Sequence, residues 1–258
     1  MDADYHAHSG YSDGAALPRM VAGAAEAGLE AVGFADHCSL TEEWYDEKVV
    51  WNRNFDLTHE RRRDALGILG ERHDLTIYDA VEVDYEPRLE AEIGRFLDGA
   101  GFDYALGSVH YVDGREVFPR DSFADESEAD RRSFVDTYYD AVVSLVESEL
   151  FDVVAHLDLV ENHPDLHGLT TDDHRRRVTD ALADSRTVPE LNAGRVGESG
   201  DYDRLHPDLE FLDHLVDRGV AVTVGTDSHG PEHFGDRAAA LDRVLDDRGI
   251  DPVAPPGV

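Results

Sequence analysis

Val220-Ala221-Val222-Thr223-Val224-Gly225-Thr226-Asp227-Ser228-His229 is an apolar stretch that runs straight into an Asp-x-His, and Asp4-Tyr5-His6-Ala7-His8, near the other end of the chain, does the same with a His-x-His. In a strand, side chains alternate between faces, so residues i and i+2 point the same way. Each stretch therefore aims two metal-ligating side chains at one spot. Imidazole and carboxylate together suit Zn, Mn or Fe. The expectation is that these two ends meet over a metal cluster and that the segments between them add the remaining ligands.

Working inward from the ends, the chain reads as alternating strands and helices. Strands are expected at about 2–6, 31–35, 75–81, 102–109, 151–155, 187–192 and from Val220, with helices over 17–27, 57–73, 87–98, 127–149, 171–184, 207–219 and 231–248. Pro18 near the start and Gly28 at the end punctuate the first helix. Thr41–Asp56, with Trp44, Tyr45, Trp51 and Phe55, is too long for a mere connector. It reads as a cover for the site or as a solvated acidic loop. Segments 9–14, 111–125 and 162–168 read as loops, and 251–258 as a proline-rich coil. Seven strand–helix units without a composition break predict one domain over 1–258. Strand–helix alternation argues for a parallel sheet. Seven units predict a barrel one unit short of the usual eight, with a doubly wound open sheet as the alternative.

Composition narrows the setting. The 258 residues carry 57 Asp and Glu against 23 Lys and Arg, a net charge of −34, and Lys48 is the only lysine. Strong acidity with almost no lysine predicts a halophilic surface, on which carboxylates hold water and ions while salt screens their repulsion; the Debye length is about 3 Å at 1 M. This charge argues against a nucleic-acid or acidic-membrane binder, which needs basic patches. A phosphorylated substrate remains compatible, provided metals supply local positive charge. The lone Cys38 and an N-terminus without a basic and apolar leader predict a cytoplasmic protein. No apolar run approaches the roughly 20 residues of a membrane span.

Placed on this map, His6 and His8 end strand one, Asp36 and His37 strand two, Glu82 strand three, His110 strand four and His156 strand five. Glu190 and Asn192 lie in strand six, and Asp227 and His229 end strand seven. The carboxyl ends of parallel barrel strands share one face, where active sites form. Asp13, in the first loop, reaches the same place. A single strand-end histidine is ordinarily a hydrogen-bonded structural residue. Six of them together with Asp13, Glu82 and Asp227 would be costly to gather without metal charge. Nine such side chains are too many for one tetrahedral ion and enough for two or three. The other eight histidines read as structural or surface residues.

These residues resemble the PHP (polymerase and histidinol phosphatase) superfamily: His6-Ala7-His8, Tyr11-Ser12-Asp13-Gly14, Asp36-His37, Glu82-Val83-Asp84, Gly107-Ser108-Val109-His110, His156-Leu157-Asp158-Leu159 and Asp227-Ser228-His229. Within it, the sequence is most similar to the histidinol-phosphatase branch. The resemblance implies a distorted (β/α)7 barrel and a trinuclear site of divalent ions (Zn, Mn or Fe). Its metal ligands would be His6, His8, Asp13, His37, Glu82, His110, His156, Asp227 and His229, with Glu82 bridging. It implies hydrolysis of a small phosphate monoester, histidinol phosphate in that branch; separately, the strand-end position of Asp227 and His229 makes them candidates to relay a proton to the leaving group. Two positions depart from the branch pattern. Glu161-Asn162 stands where a basic residue is expected. Arg195, the candidate phosphate clamp, aligns only with a gap. Two other readings compete: a PHP-type phosphoesterase acting on nucleotides or short oligonucleotides, and a metal-binding regulatory module without turnover.

Overall fold

β1 (Ala3–Ala7) lies beside β2 (Ala31–Cys38), which pairs with β3 (Thr76–Asp84), and that strand with β4 (Tyr104–Ser108), every pair parallel. The computed structural model describes residues 1–41, 59–117, 123–197 and 204–258. Beyond β4 comes a short hairpin, β5 (Tyr111–Val112) and β6 (Arg115–Glu116), in the segment expected to be loop. Asp113 and Gly114 both have positive φ, the signature of a tight two-residue turn that an Asp-Gly pair favours. The main sheet continues through β7 (Val153–Val154), β8 (Val188–Asn192) and β9 (Thr223–Gly225), giving the order β1-β2-β3-β4-β7-β8-β9.

Spatial order follows chain order, so each helical crossover lays the next strand beside the last. The ends of the sheet then meet. Ala7 bridges Ser228 in parallel, His8 N donates to Ser228 O at 3.0 Å, and Asp227 N donates to His6 O at 2.7 Å. This closure decides for the seven-stranded barrel over the open sheet.

Among the described residues the α-helices lie where the sequence places them, within a few residues. They are α1 (Leu17–Glu26), α2 (His59–Gly70), α3 (Glu90–Ala100), α4 (Glu128–Glu147), α5 (Asp172–Ala183), α6 (Leu209–Asp217) and α7 (His233–Arg248). Three begin on caps legible in sequence: the side chains of Ser127, Thr171 and Asp208 accept the backbone N–H three residues on. Residues 42–56 of the expected aromatic loop lie outside the described residues.

Apolar residues of α4, α5 and α6 (Val135, Tyr139, Val142, Leu145, Val178, Leu182, Phe211 and Leu215) pack on the outward side chains of the sheet, and Leu17, Met20, Val21 and Ala24 of α1 join Val32 and Phe34 in a second cluster. Inside the barrel, the Tyr104 hydroxyl of β4 donates to Tyr5 O of β1 at 2.7 Å, spanning strands that are not neighbours. Gly33 makes room for it; a Cβ there would stand 1.7 Å from that hydroxyl oxygen. This packed floor closes one end and leaves the carboxyl ends of the strands as the rim.

Candidate metal centre

Register brings the first pair together. His37 in β2 is the direct partner of Glu82 in β3, and neighbouring strands lie about 4.8 Å apart with paired side chains on the same face. The His37 Nδ1 stands 2.7 Å from Glu82 Oε2. The same carboxylate lies 3.5 Å from His6 Nε2, 3.7 Å from His8 Nε2, 3.6 Å from His110 Nε2 and 3.0 Å from His156 Nε2. Asp227 Oδ1 is 3.1 Å from His8 Nε2 and 3.5 Å from His229 Nδ1. Asp13 Oδ1 is 3.2 Å from His229 Nε2 and 3.8 Å from His37 Nε2. All nine side chains named from sequence thus gather at one rim around Glu82.

The backbone route differs from the strand alternation expected at several positions. Asp227 and His229 lie beyond β9, and His156 lies beyond β7. Asp227 has φ of 51° and His156 has φ of 26°, both in the left-handed region that L residues rarely enter. Their side chains arrive through strained loop backbone, a kind of strain that clusters at functional sites. In β1, the register with β2 shifts between Asp4 and Ala7.

Outer partners fix the rings. His6 Nδ1 lies 2.8 Å from Glu190 Oε1, and His110 Nδ1 lies 2.5 Å from Asp84 Oδ1. Carboxylates behind imidazoles set the tautomer and leave the far nitrogen free to coordinate. Glu190 fits because position 225 is glycine; a Cβ there would stand 1.8 Å from its Oε1. Asn192 Nδ2 donates to Glu190 Oε2 at 3.0 Å and to Asp227 Oδ2 at 3.3 Å. Asp36, beside His37, faces away from the cluster. It accepts from Ser9 N (2.6 Å), Ser12 Oγ (2.8 Å) and Arg62 Nη1 (2.9 Å), and so orders the loop that carries Asp13. Asp84 was legible as the i+2 companion of Glu82, whereas nothing local marked Arg62, within Arg61-Arg62-Arg63, as fully buried.

The buried carboxylates and imidazoles of the cluster govern one another's ionisation. Burial opposes ionisation of His37 and His6, yet the carboxylates of Glu82 and Asp13 lift His37 to about 10, and Glu190, Asp227 and Glu82 hold His6 well above the ordinary imidazole value. Surrounding imidazoles hold Glu82 and Asp227 well below the carboxylate range despite their burial. Burial, with His229 and His37 beside it, drives His8 down to about 4.

The residues fit metal ions. His6 Nε2 and His8 Nε2 face each other at 3.0 Å, and the buried Nδ1 atoms of His8 and His156 make no hydrogen bond. Three interlocking sets have ligand atoms within 4.8 Å of one another: His8, Asp13, His37 and His229; His6, His8 and Asp227; and His37, Glu82 and His110. Nitrogen and oxygen donors in such sets suit Zn, Mn or Fe.

The two positions that depart from the branch pattern take different places. Glu161 is buried, and its carboxylate accepts from Gly168 N at 2.8 Å and Thr170 N at 3.1 Å, organising a loop. Arg195 lies in the segment beyond β8, next to Gly194, where a Cβ would stand 2.5 Å from Asp227 Oδ2. Among the described residues, no helix is long and apolar enough to cross a membrane.

Comparison with known proteins agrees with this geometry. Similarity to a Deinococcus radiodurans protein named "Probable histidinol-phosphatase" runs over 256 residues at 28% identity, covering 95% of this chain and 93% of that one. The histidinol-phosphatase of Lactococcus lactis is 28% identical over 242 residues, 88% of this chain and 83% of that one. The crystal structure of a Lactococcus lactis histidinol phosphate phosphatase, complexed with zinc, L-histidinol and phosphate, superposes with a TM-score of 0.79 at 22% identity over 98% of this chain and 96% of that one. The PHP domain profile matches residues 4–192. This chain belongs to the PHP domain family.

Proposed function

We propose that this chain, acting as one domain over residues 1–258, is a metal-dependent phosphatase that hydrolyses histidinol phosphate to histidinol and phosphate. The observation that carries the metal-dependent hydrolase is the gathering of nine candidate ligands at the barrel rim, with five histidines around Glu82 and with Asp13, Asp227 and His229 beside them. The substrate is supported by similarity, along nearly the whole chain, to proteins named for that activity.

His6, His8, Asp13, His37, Glu82, His110, His156, Asp227 and His229 would hold two or three divalent ions, zinc being the one bound in the Lactococcus structure. When bound, such ions polarise phosphoryl oxygens and make water a competent nucleophile at neutral pH. The remaining work falls to the chain. Glu190 and Asp84 hold the His6 and His110 rings in orientation. Arg195 neutralises charge on the phosphoryl oxygens as phosphorus is attacked. Of the two proton-relay candidates, His229 faces the rim with its side chain 34% exposed, whereas Asp227 lies deeper at 18%. His229 is nearer the entry, but its Nδ1 faces Asp227 O at 3.0 Å and its Nε2 faces Asp13, so it can serve the leaving alkoxide only when it is not itself a ligand.

The test is hydrolysis by purified protein of known metal content, in high salt, of histidinol phosphate, a nucleoside monophosphate and a bis-phosphoester. The reading requires activity that chelation abolishes and metal restores, with histidinol phosphate preferred in kcat/KM. Equal turnover of generic esters overturns the substrate. Bound metal without hydrolysis overturns the enzyme.

A further inference from the structure

Arg237, on the inner face of α7, is a buried arginine ten residues beyond Asp227 and outside every motif that marks the cluster. Its Nη1 donates to Asp227 O at 2.7 Å and to Thr226 O at 3.2 Å, and its Nε donates to Val196 O at 3.3 Å. One planar guanidinium therefore joins two separate segments. The first follows β9 and carries Asp227 and His229; the second follows β8 and carries Arg195.

The contact with Asp227 matters because of the backbone there. Its φ of 51° is uncommon for a non-glycine residue, although Asp tolerates it better than most, and contacts on both sides hold it there. On one side, Asp227 N donates to His6 O at 2.7 Å. On the other, Arg237 holds the carbonyl. Together they pin the peptides flanking Asp227, so that its carboxylate faces His8 at 3.1 Å and His6 at 3.9 Å. Arginine is suited to this role because its fork of rigid donors satisfies several carbonyls at once, whereas an ammonium is a single point charge on a flexible stem.

We infer that Arg237 is a positioning residue of the metal centre: its guanidinium clamps the carbonyls of Thr226, Asp227 and Val196, holding Asp227 in its left-handed, ligating conformation and keeping the Arg195 segment against the cluster. This inference rests on the metal-centre reading above. It adds a residue that acts through the Asp227 backbone rather than as a ligand.

The experiment compares the wild type with Arg237→Met, Arg237→Lys and Leu241→Ala. Leu241 is a buried residue on the same helix, one turn beyond Arg237, and belongs to the main apolar cluster; its truncation controls for lost stability alone. Co²⁺ is titrated into metal-free protein and followed by its visible absorption, with thermal midpoints and steady-state kinetics measured in parallel. Arg237→Met is expected to bind Co²⁺ about 10- to 100-fold more weakly, with altered absorption and raised KM. Leu241→Ala is expected to lower the thermal midpoint while leaving affinity and spectrum unchanged. Arg237→Lys falls between wild type and Arg237→Met, and stands in if Arg237→Met does not fold. Co²⁺ affinity and spectrum in the Arg237 variants equal to those of Leu241→Ala overturn the inference while leaving the metal centre intact. A wild type that takes up no Co²⁺ overturns the metal centre itself.

Discussion

The Nδ1 of His6 and the Oε1 of Glu190 stand 2.8 Å apart in a fully buried pocket, although 184 residues separate them. Glu190 thereby sets which nitrogen of His6 faces His8, and Gly225 keeps the space that its carboxylate occupies. Replacing Glu190 by Gln keeps shape and removes charge. Metal retention after dialysis is expected to weaken by about 10- to 100-fold, with kcat/KM falling alongside. Metal content measured per chain, beside activity in metal-saturated buffer, checks this.

Arg62 and Asp36 form an ion pair with both side chains wholly buried, and Arg62 also reaches Asp79 Oδ1 at 2.6 Å. Burial works against the Asp36 carboxylate, but Arg62 and the Ser9 N–H hold its pKa below the usual range. Arg62→Met leaves the buried Asp36 carboxylate without its counter-charge, while Asp79 keeps Arg63 at 2.5 Å. Breaking one partner of a buried pair costs about 3–5 kcal/mol, so chemical denaturation of the metal-free variant is expected to show a loss of that order. Arg88→Met, which removes an exposed pair with Glu86, is expected to change little.

Proton linkage gives a third expectation. His37 rises to about 10 in the metal-free protein, and His6, His156 and His229 also shift upward. A group whose pKa is higher folded than unfolded stabilises fully below its unfolded value, near 6.5, and loses that contribution as pH rises through the folded value. The chelated protein should therefore lose stability between pH 6.5 and 10, and the metal-loaded protein should lose less. Coordination requires neutral imidazole. Metal addition at pH 8 should release protons that histidines of ordinary pKa would already have shed. Calorimetric titrations in buffers of different ionisation enthalpy measure this release.

A net charge of −34 sets the fourth expectation. Self-repulsion of a highly charged compact chain weakens as salt shortens the Debye length from about 10 Å at 0.1 M to about 3 Å at 1 M. The thermal midpoint of the metal-loaded protein should rise steadily from 0.1 to 2 M KCl. A midpoint independent of salt would contradict the halophilic reading of the surface.

The clustered side chains were legible because they sit at or just beyond strand ends that strand–helix alternation brings to one face. His37 and Glu82 meet by register, as a parallel sheet requires. Asp227 and His156 reach the same point through left-handed backbone that no local pattern announces. The supporting residues were the hardest to read. Arg62 looks like part of an exposed basic run, and Arg237 lies in a helix with no motif; only tertiary packing shows what each one holds. The Asp113-Gly114 turn carried its hairpin signal in plain sight, within a segment expected to be loop.

The bridge between Ala7 and Ser228 has a consequence for assembly. His6, His8 and Asp227 flank the seam where the barrel shuts, so an ion shared by them would rivet the two extremities of the polypeptide together. Like a crosslink spanning a long loop, it would restrict the unfolded ensemble. Ion capture and completion of the ring would then be coupled, a coupling that a fragment stopping at Asn192, without β9, could not reach.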